Sequence, residues 1–276
     1  MFENKSIIIG VSGGIAAYKT AYLVSALSKT EADVNVIMTE NACEFISPLV
    51  FETLTGNKCY VDTFDRNFKF DVEHISLAKK ADIFMIAPAT ANVIAKIANG
   101  IADDMLTTTF LASKCKKIVS PAMNTAMFEN QITQDNIAKL KKYGIGVVEP
   151  QNGLLACGDT GAGKMPEPDF LFDVIEREIA REKDMLGKKV LVTAGATMES
   201  LDPVRFLTNH SSGKMGFAIA KEAMLRGAEV TVVKANTTAE IPNFVKIVEV
   251  SSAKDMFDAV TALSDQQDII VKAAAV

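Results

Sequence analysis

Continuous apolar runs, separated by stretches with helical periodicity, constrain the fold of this 276-residue chain more than any other feature. The runs 6–11 (SIIIGV), 83–87 (IFMIA) and 190–193 (VLVT) lack the polar–apolar alternation of a half-exposed strand. Uniformly apolar strands are typical of parallel sheets that helices cover on both faces. The pattern therefore predicts an α/β protein with doubly wound parallel sheets.

The same pattern predicts the individual elements. Strands are expected at 6–11, 34–38, 83–87, 117–120, 147–149, 190–193, 229–233, 245–250 and 268–272. Helices are expected at 14–29, 90–99, 103–112, 131–143, 169–183, 214–226 and 253–264. Because a charged helical stretch ends near residue 183 and a new strand begins at 190, we predict a domain boundary near residue 185. The first domain would then comprise 1–185 and the second 186–276.

The last predicted strand is followed only by residues 273–276 (AAAV). Ligand-binding loops in open α/β sheets lie just beyond the carboxyl ends of strands. A functional loop is therefore expected to begin at Ala273, and we expect the second domain to be incomplete in this chain.

Composition excludes several classes of protein. The net charge of −5 argues against a nucleic-acid-binding protein, which normally carries a basic face. No apolar run is long enough to cross a bilayer and the N-terminus lacks a secretory apolar stretch, so we expect a cytoplasmic protein with no membrane partner. Because the four cysteines show no C-x-x-C spacing and only two histidines occur, we expect no structural zinc, no disulfide framework and no histidine-rich metal centre.

A glycine-rich turn, 10–16 (GVSGGIA), joins the first strand to the first helix. Glycines allow tight turns and close backbone approach, and the helix that follows offers unpaired N–H groups to an anion. The spacing is neither G-x-G-x-x-G nor that of a P-loop. A mononucleotide such as FMN fits this turn at least as well as a dinucleotide, and a βα turn without a ligand is the alternative.

Polar residues follow two further strands. Segment 87–92 (APATAN) comes after the strand at 83–87, and 121–127 (PAMNTAM) comes after the strand at 117–120. Both lie where this fold class binds ligands. Asn124 could hydrogen-bond a carboxylate or a flavin edge, or it could cap a helix.

Three other segments contain candidate functional residues. Histidine side chains can move protons, so His74 is a candidate acid or base, or it is a surface or helix-capping histidine. Segment 156–165 (ACGDTGAGKM) contains three glycines, the thiol of Cys157 and the cation of Lys164, which predicts a glycine-hinged flap; an inert buried cysteine is the alternative. Segment 209–214 (NHSSGK) reads as a polar loop that enters a helix, with Ser211 or Ser212 as a purely structural cap.

Together these motifs resemble a known family. His74, APATAN, PAMNxxM and ACGDxGxG[KR]M occur in the order found in the phosphopantothenoylcysteine decarboxylases, which are homo-oligomeric flavin-containing cysteine decarboxylases, and the match spans about 5–180. Segments 192–197 (VTAGAT) and 201–216 (LDPVRFLTNHSSGKMG) resemble phosphopantothenate–cysteine ligase. Many bacteria fuse the two enzymes. The resemblance implies a flavodoxin-like or Rossmann-like first domain and an incomplete Rossmann-like second domain. The ligase family's later lysine-containing nucleotide loop has no counterpart, so ligase activity is not expected of this chain as given.

The resemblance implies FMN-dependent decarboxylation of 4′-phosphopantothenoylcysteine to 4′-phosphopantetheine. The substrate carbon that bears the thiol loses a hydride to the flavin, and the resulting thioaldehyde allows CO2 to leave as an enethiol forms. Return of the hydride, with a proton from a protein acid, completes a reaction that is redox-neutral overall.

Roles for individual residues also come from the resemblance. Catalysis is assigned to His74 as acid/base, to Asn124 as the residue that positions substrate carboxylate and flavin, and to Cys157 as proton donor. Substrate contacts are expected from Asn124, Met127, Lys164 and Met165, and cofactor contacts from Ser12, Gly13 and Gly14, with Thr39, Thr90 and Asn92 as weaker candidates. In the ligase-like part, Asn209 is expected to act on an acyl-nucleotide intermediate, and Ala273, Ala274 and Ala275 to begin a site for CTP, with Mg²⁺ as its companion. No metal is expected in the decarboxylase domain. The resemblance also implies that the protein forms a homo-oligomer.

Three other functions stay open at this point. A related flavin decarboxylase could act on the C-terminal cysteine of a peptide, although the attached ligase-like segment favours the small metabolite. A non-catalytic regulatory flavoprotein subunit is a second alternative, against which the presence of Asn124 and Cys157 argues. A flavin electron carrier, which would need no cysteine substrate, is the third.

Overall fold

The computed structural model describes residues 2–63, 73–154, 158 and 160–276, with the side chain of Glu73 excepted. The chain divides into two compact units, Met1–Ile179 (unit 1) and Ala180–Val276 (unit 2). Among the residues described, no helix has both the length and the apolar character needed to cross a membrane.

Unit 1 is built on a six-stranded parallel sheet. Its strands are β1 (Ser6–Val11), β2 (Asp33–Met38), β3 (Cys59–Tyr60), β4 (Ile83–Ala89), β5 (Lys116–Pro121) and β6 (Gly146–Val147). The order across the sheet is β3-β2-β1-β4-β5-β6, and every neighbouring pair is parallel. The chain moves outward in opposite directions from β1 and β4, so the gap between their carboxyl ends is a topological switch point. This arrangement confirms the predicted doubly wound fold.

Helices surround this sheet. They are α1 (Ala17–Ser28), α2 (Glu40–Cys43), α3 (Pro48–Thr55), α4 (Glu73–Lys80), α5 (Ala91–Ala98), α6 (Met105–Ala112), α7 (Thr125–Glu129), α8 (Gln131–Lys142) and α9 (Pro168–Ile179). Short polar side chains at N-cap positions accept backbone N–H groups at the start of many of them: Thr39, Ser47, Thr90, Asp104, Asn124 and Asn130. Such caps satisfy N–H groups that the helix itself leaves unpaired. The predicted helices at 90–99, 103–112 and 131–143 are confirmed.

The core explains why the strands read as continuous apolar runs. All six residues of β1 and all seven of β4 are buried, because helices cover both faces of the sheet. Phe84 on β4 meets Phe110 on α6 edge to face, with ring centroids 5.1 Å apart. Both side chains are fully buried.

One hairpin of unit 1 was not predicted as strands. It consists of β7 (Gln151–Leu154) and β8 (Thr160–Lys164), which pair antiparallel. Most of the segment predicted as a flap therefore has regular structure where it is described, while residues 155–157 and 159, including Cys157, lie outside the described residues.

Unit 2 has a four-stranded parallel sheet of its own. Its elements are β9 (Lys189–Ala194), β10 (Met198–Ser200), β11 (Phe206–Thr208), α10 (Lys214–Leu225), β12 (Glu229–Lys234), β13 (Lys246–Glu249), α11 (Ala253–Ser264) and β14 (Ile269–Lys272). The sheet order is β13-β12-β9-β14, and β10 and β11 form a separate antiparallel hairpin. The predicted strands and both predicted helices are present, whereas the hairpin was not predicted.

Truncation of the buried ring of Phe110 should destabilise unit 1 selectively. We expect Phe110→Ala to lower the free energy of unfolding by about 3–5 kcal/mol, because the change removes the contact with Phe84 and leaves a cavity. The four tyrosines all lie in unit 1 and the chain has no tryptophan, so tyrosine fluorescence during urea unfolding reports on this unit alone.

Leu111 provides the matched control, because it is the next residue of the same helix and is 40% exposed. We expect Leu111→Ala to cost less than about 1 kcal/mol. Equal losses for the two variants would contradict the proposed core.

Candidate active site

A cavity of about 530 Å³ opens at the carboxyl ends of the central strands of unit 1. This volume is in the range of about 300–1,000 Å³ that is typical of small-molecule sites. The lining comes from loops after four strands and from the hairpin, and includes Gly13, Gly14, Asn41, Thr90, Asn92, Asn124 and Lys164. The cavity thus lies at the switch point, where ligands bind in this fold class.

The Ser12 hydroxyl joins the two loops that form the floor of this cavity. It donates a hydrogen bond to the Pro88 carbonyl oxygen (2.8 Å) and accepts one from the Thr90 N–H (2.9 Å). Ser12 is fully buried and is not among the described residues that line the cavity. Its side chain therefore fixes the loop after β1 against the loop after β4.

The glycine turn places backbone at the cavity wall. A Cβ atom on Gly13 would lie 2.6 Å from the Cβ of Asn41, so only glycine allows the loop after β2 to come this close. Helix α1 begins directly after the turn, and its N-cap residue, Ala16, makes no side-chain capping hydrogen bond. The N-terminus of a helix attracts anions through its N–H groups and its dipole.

Asn124 combines the two roles that its sequence context left open. Its Oδ1 accepts a hydrogen bond from the Ala126 N–H (2.9 Å), which caps α7, and the residue also lines the cavity. Thr90 does the same at the start of α5, where its Oγ1 accepts from the Val93 N–H (3.5 Å). A cap restrains the side chain, so these groups present fixed positions to a ligand.

The hairpin docks on the segment that contains Asn124. The Met123 N–H donates to the Gly163 carbonyl oxygen (3.1 Å). Gly163 has a φ of +128°, and a Cβ there would lie 2.2 Å from the Met123 carbonyl oxygen, while a Cβ on Gly161 would lie 2.7 Å from the Thr125 side chain. These two glycines allow β8 to dock closely on the segment that contains Met123 and Thr125, and the glycine-hinged flap stays a prediction.

A charged cluster lies at the end of β8. Lys19 on α1 donates to the Glu167 carboxylate (2.8 Å) and to the Met165 carbonyl oxygen (3.3 Å), and Lys164 Nζ lies 3.5 Å from the same carboxylate. The hydrogen bond from Lys19 holds the pKa of Glu167 below its usual range, so this carboxylate is ionised near neutral pH. Lys19 and Lys164 both line the cavity.

The structure brings most of the predicted cofactor and substrate residues together. The cavity lining contains Gly13, Gly14, Thr90, Asn92, Asn124, Met127, Lys164 and Met165. Thr39 lies instead at an adjoining polar cavity of about 320 Å³, which shares Asn41, Thr90 and Asn92 with the first. His74 is half-buried on α4 and is not among the described residues that line either cavity.

Several residues at or beside the cavity were not predicted from the sequence, among them the polar or charged residues Lys19, Asn41 and Glu167. Asn41 follows β2 by three positions, which is the signal that drew attention to the loops after β1, β4 and β5. Lys19 and Glu167 lack such a signal, because their pairing joins positions 148 residues apart.

In unit 2 the predicted residues lie in two loops. Asn209 is exposed, and its Oδ1 accepts from the Ser211 N–H (3.0 Å). The Ala273 and Ala274 N–H groups both donate to Thr193 Oγ1 (3.1 Å each). The alternative of a cap by Ser211 or Ser212 is wrong, because Gly213 is the N-cap of α10 and no side chain caps this helix.

Comparison with known proteins decides the family. The flavoprotein family matches residues 1–180, and the C-terminal domain of DNA/pantothenate metabolism flavoproteins matches residues 185–276. The coenzyme A biosynthesis bifunctional protein CoaBC of Bacillus subtilis (strain 168) is 44% identical over 279 residues, which cover 100% of this chain and 69% of that protein. The chain belongs to the family of coenzyme A biosynthesis bifunctional proteins.

Other members of this bifunctional family are similarly close. The CoaBC protein of Vibrio vulnificus (strain YJ016) is 45% identical over 273 residues, which cover 99% of this chain and 68% of that protein. Among solved structures, a PPC decarboxylase mutant complexed with pantothenoylaminoethenethiol aligns with a TM-score of 0.56 and 30% identity, over 62% of this chain and 96% of that one. The FMN-dependent cysteine decarboxylase SpaF aligns with a TM-score of 0.53 and 31% identity, over 59% and 92%. The predicted family is thereby confirmed.

A side chain at position 163 should loosen the docked hairpin. We expect Gly163→Ala to cost about 1–3 kcal/mol in unit 1, because alanine disfavours the positive φ and its methyl group would overlap the Met123 carbonyl oxygen. Urea unfolding followed by tyrosine fluorescence measures the loss.

Gly153→Ala on the partner strand β7 is the control. A Cβ there would meet only the flexible Lys164 side chain at 3.4 Å. If Gly163→Ala were as stable as Gly153→Ala, the docking of β8 on Met123 would be refuted.

Proposed function

We propose that unit 1 decarboxylates 4′-phosphopantothenoylcysteine to 4′-phosphopantetheine with FMN as its cofactor, a step of coenzyme A biosynthesis. The observation that carries this proposal is the convergence of the predicted cofactor and substrate residues on one cavity at the switch point. Similarity to CoaBC proteins along the whole chain and to a PPC decarboxylase structure supports it.

The residues of the cavity fit FMN. Gly13 and Gly14 precede a helix N-terminus without a side-chain cap, which suits a phosphate group. Thr90 and Asn92 at the start of α5 would contact the rest of the cofactor with hydroxyl and amide groups. Bound FMN supplies a two-electron acceptor and donor, which decarboxylation of a cysteine carboxylate needs.

The protein's own groups would hold the substrate beside the cofactor. The Asn124 side chain, restrained as a helix cap, would hydrogen-bond the carboxylate that leaves as CO2. The Lys164 ammonium would meet an anionic group of the substrate, while Met127 and Met165 would exclude water from the reacting atoms. By family resemblance His74 moves a proton at the substrate thiol, and Cys157, which lies outside the described residues, returns a proton in the reductive half.

The product of the reaction tests this proposal directly. Anaerobic incubation of the chain with 4′-phosphopantothenoylcysteine should yield 4′-phosphopantetheine, detected by mass spectrometry. Cys157→Ser should instead release the unreduced enethiol, lighter by two hydrogen atoms, because it lacks the proton donor for the reductive half.

The two other outcomes are also informative. Absence of turnover by protein that carries FMN would refute the proposed substrate, and incubation with a peptide that ends in cysteine would then test the peptidyl-cysteine alternative. Formation of the normal product by Cys157→Ser would remove Cys157 from the mechanism.

We propose further that a second copy of the chain completes the active site. Several cavity-lining side chains are half or more exposed: Ile15 (58%), Tyr18 (53%), Met127 (50%) and Leu154 (69%). An apolar rim of this kind is typical of a surface that a partner covers. His74, which is not among the described lining residues of its own chain, would reach the active site of a neighbouring copy.

Mixing two inactive variants tests this composite site. His74→Asn and Asn124→Asp should each lack activity, because each lacks one necessary group. After joint refolding, random assembly gives roughly one site in four with both native residues, so decarboxylation should reappear.

Activity of the mixture that equals the sum of the separate variants would place His74 and Asn124 in one chain. Retained flavin absorbance in each variant shows that loss of activity does not arise from loss of the cofactor.

Unit 2 would contribute to a CTP-dependent ligase that joins cysteine to 4′-phosphopantothenate, with Mg²⁺ as companion of the nucleotide. Its match to the pantothenate metabolism domain supports this assignment. Asn209 would act on the acyl-nucleotide intermediate. Because the Ala273 and Ala274 N–H groups donate to Thr193, these two alanines would contact CTP through carbonyl oxygens or methyl groups. Ala275 would contact it through its methyl group, because its N–H donates to the Gly195 carbonyl oxygen and its own carbonyl oxygen accepts from the Thr197 N–H. The cytoplasmic location stays a prediction.

A further inference from the structure

Glu167 binds two cations that line the proposed active site without lining that site itself. Its carboxylate accepts from Lys19 Nζ at 2.8 Å and lies 3.5 Å from Lys164 Nζ. The Glu167 side chain is 53% exposed, whereas the side chain of Lys19 is only 10% exposed. One carboxylate therefore links helix α1 to the last residue of β8.

Lys19 fixes where this carboxylate lies. A nearly buried ammonium requires hydrogen-bonding partners, and Lys19 has two, the Glu167 carboxylate and the Met165 carbonyl oxygen. The backbone on either side of Glu167 is also held, since the Glu167 carbonyl oxygen accepts from the Leu171 N–H of α9 (3.2 Å). Glu167 is thus held in place by Lys19, and the Lys164 ammonium, whose side chain is 38% exposed, is the second cation within reach of the same carboxylate.

We propose that Glu167 is a positioning residue that holds the Lys164 ammonium at the cavity, ready for the anionic group of the substrate. This inference rests on the proposed decarboxylase function. A free lysine side chain loses rotamer entropy when it binds an anion, and a pre-formed ion pair reduces that loss. The Glu167 carboxylate also balances the positive charge of the nearly buried Lys19 ammonium.

The expected kinetic effect follows from the location of Lys164. An anionic group remote from the breaking carbon–carbon bond is held equally in the ground state and the transition state. Loss of such uniform binding raises KM and leaves kcat unchanged. Removal of the Glu167 charge would also make the cavity more positive, and this favours an anionic substrate because screening is strong only beyond about 10 Å. A higher KM in E167Q would therefore mean that loss of the fixed geometry outweighs the added attraction.

The test measures steady-state kinetics of the full chain with FMN bound and 4′-phosphopantothenoylcysteine as substrate. We expect E167Q to raise KM about three- to tenfold, the range for loss of one typical hydrogen bond, with kcat within about twofold of the original. E167D, which keeps the charge, should have a KM between those of E167Q and the original protein.

A double-variant cycle shows whether Glu167 acts through Lys164. K164M alone should raise KM, and E167Q should add nothing on the K164M background. Additive effects, or a KM that E167Q leaves unchanged, would overturn the inference. A merely structural role would lower stability and affect K164M and the original protein alike.

E149Q is the matched control. Glu149 forms an exposed ion pair with Lys141 (2.5 Å) and is not among the described residues of the cavity, so KM should not change. If E167Q does not fold, as judged by tyrosine fluorescence and flavin absorbance, E167D and its combination with K164M take its place, with the same two outcomes. Absence of turnover by the unmodified chain would contradict the proposed function itself, whereas normal turnover with no KM effect contradicts only the role of Glu167.

Discussion

The hydroxyl of Ser12 is the interaction on which the rest of the active site depends. It connects the carbonyl oxygen of Pro88 to the N–H of Thr90 across the switch point of the sheet. Doubly wound sheets create a crevice at such a point whatever their sequence. In this chain one buried hydroxyl sets the width of the crevice, and the glycine turn and the start of α5 take their positions from it.

Two further contacts form the walls of the cavity. Gly13 allows Asn41 to pack against the turn, which adds the loop after β2 to the cavity wall. Met123 donates to Gly163, which adds the hairpin on the other side. In both cases the contact is possible because glycine has no side chain. The shape of the cavity therefore depends on these glycines as well as on hydrogen bonds. Among the residues that the structure describes, the charged groups that line the cavity are Lys19 and Lys164, and both meet Glu167.

Much of this architecture was predictable from the sequence, and the exceptions share a physical cause. Buried parallel strands such as β1 and β4 can be predicted from their uniformly apolar sequences, because both faces of the sheet are covered. The hairpin strand β8 (TGAGK) has two glycines and no apolar alternation, because its register is set by docking on Met123 and not by its own side chains. The sequence of β8 itself does not indicate that it docks on a residue as distant in the chain as Met123.

The same reasoning applies to the individual residues of the site. Gly13, Thr90 and Asn124 lie within three positions of the end of a strand, so their place at the sheet edge could be predicted. Glu167 could not, because its role depends on Lys19, far away in the chain. His74 had the right chemistry for a catalytic group, but a sequence does not say whether a side chain serves its own chain or another.

The docked hairpin also separates the proposed binding of the substrate from the proposed binding of the cofactor. The groups proposed to hold the cofactor lie at the sheet edge. Lys164 lies on the β7–β8 hairpin, which contacts that edge largely through backbone atoms and glycines. These contacts require glycine at positions 161 and 163 but involve no side chain of the hairpin. The other positions of the hairpin can therefore change during evolution while the residues proposed to hold the cofactor stay in place, so that one flavin-binding domain can acquire new cysteine-bearing substrates through a single hairpin.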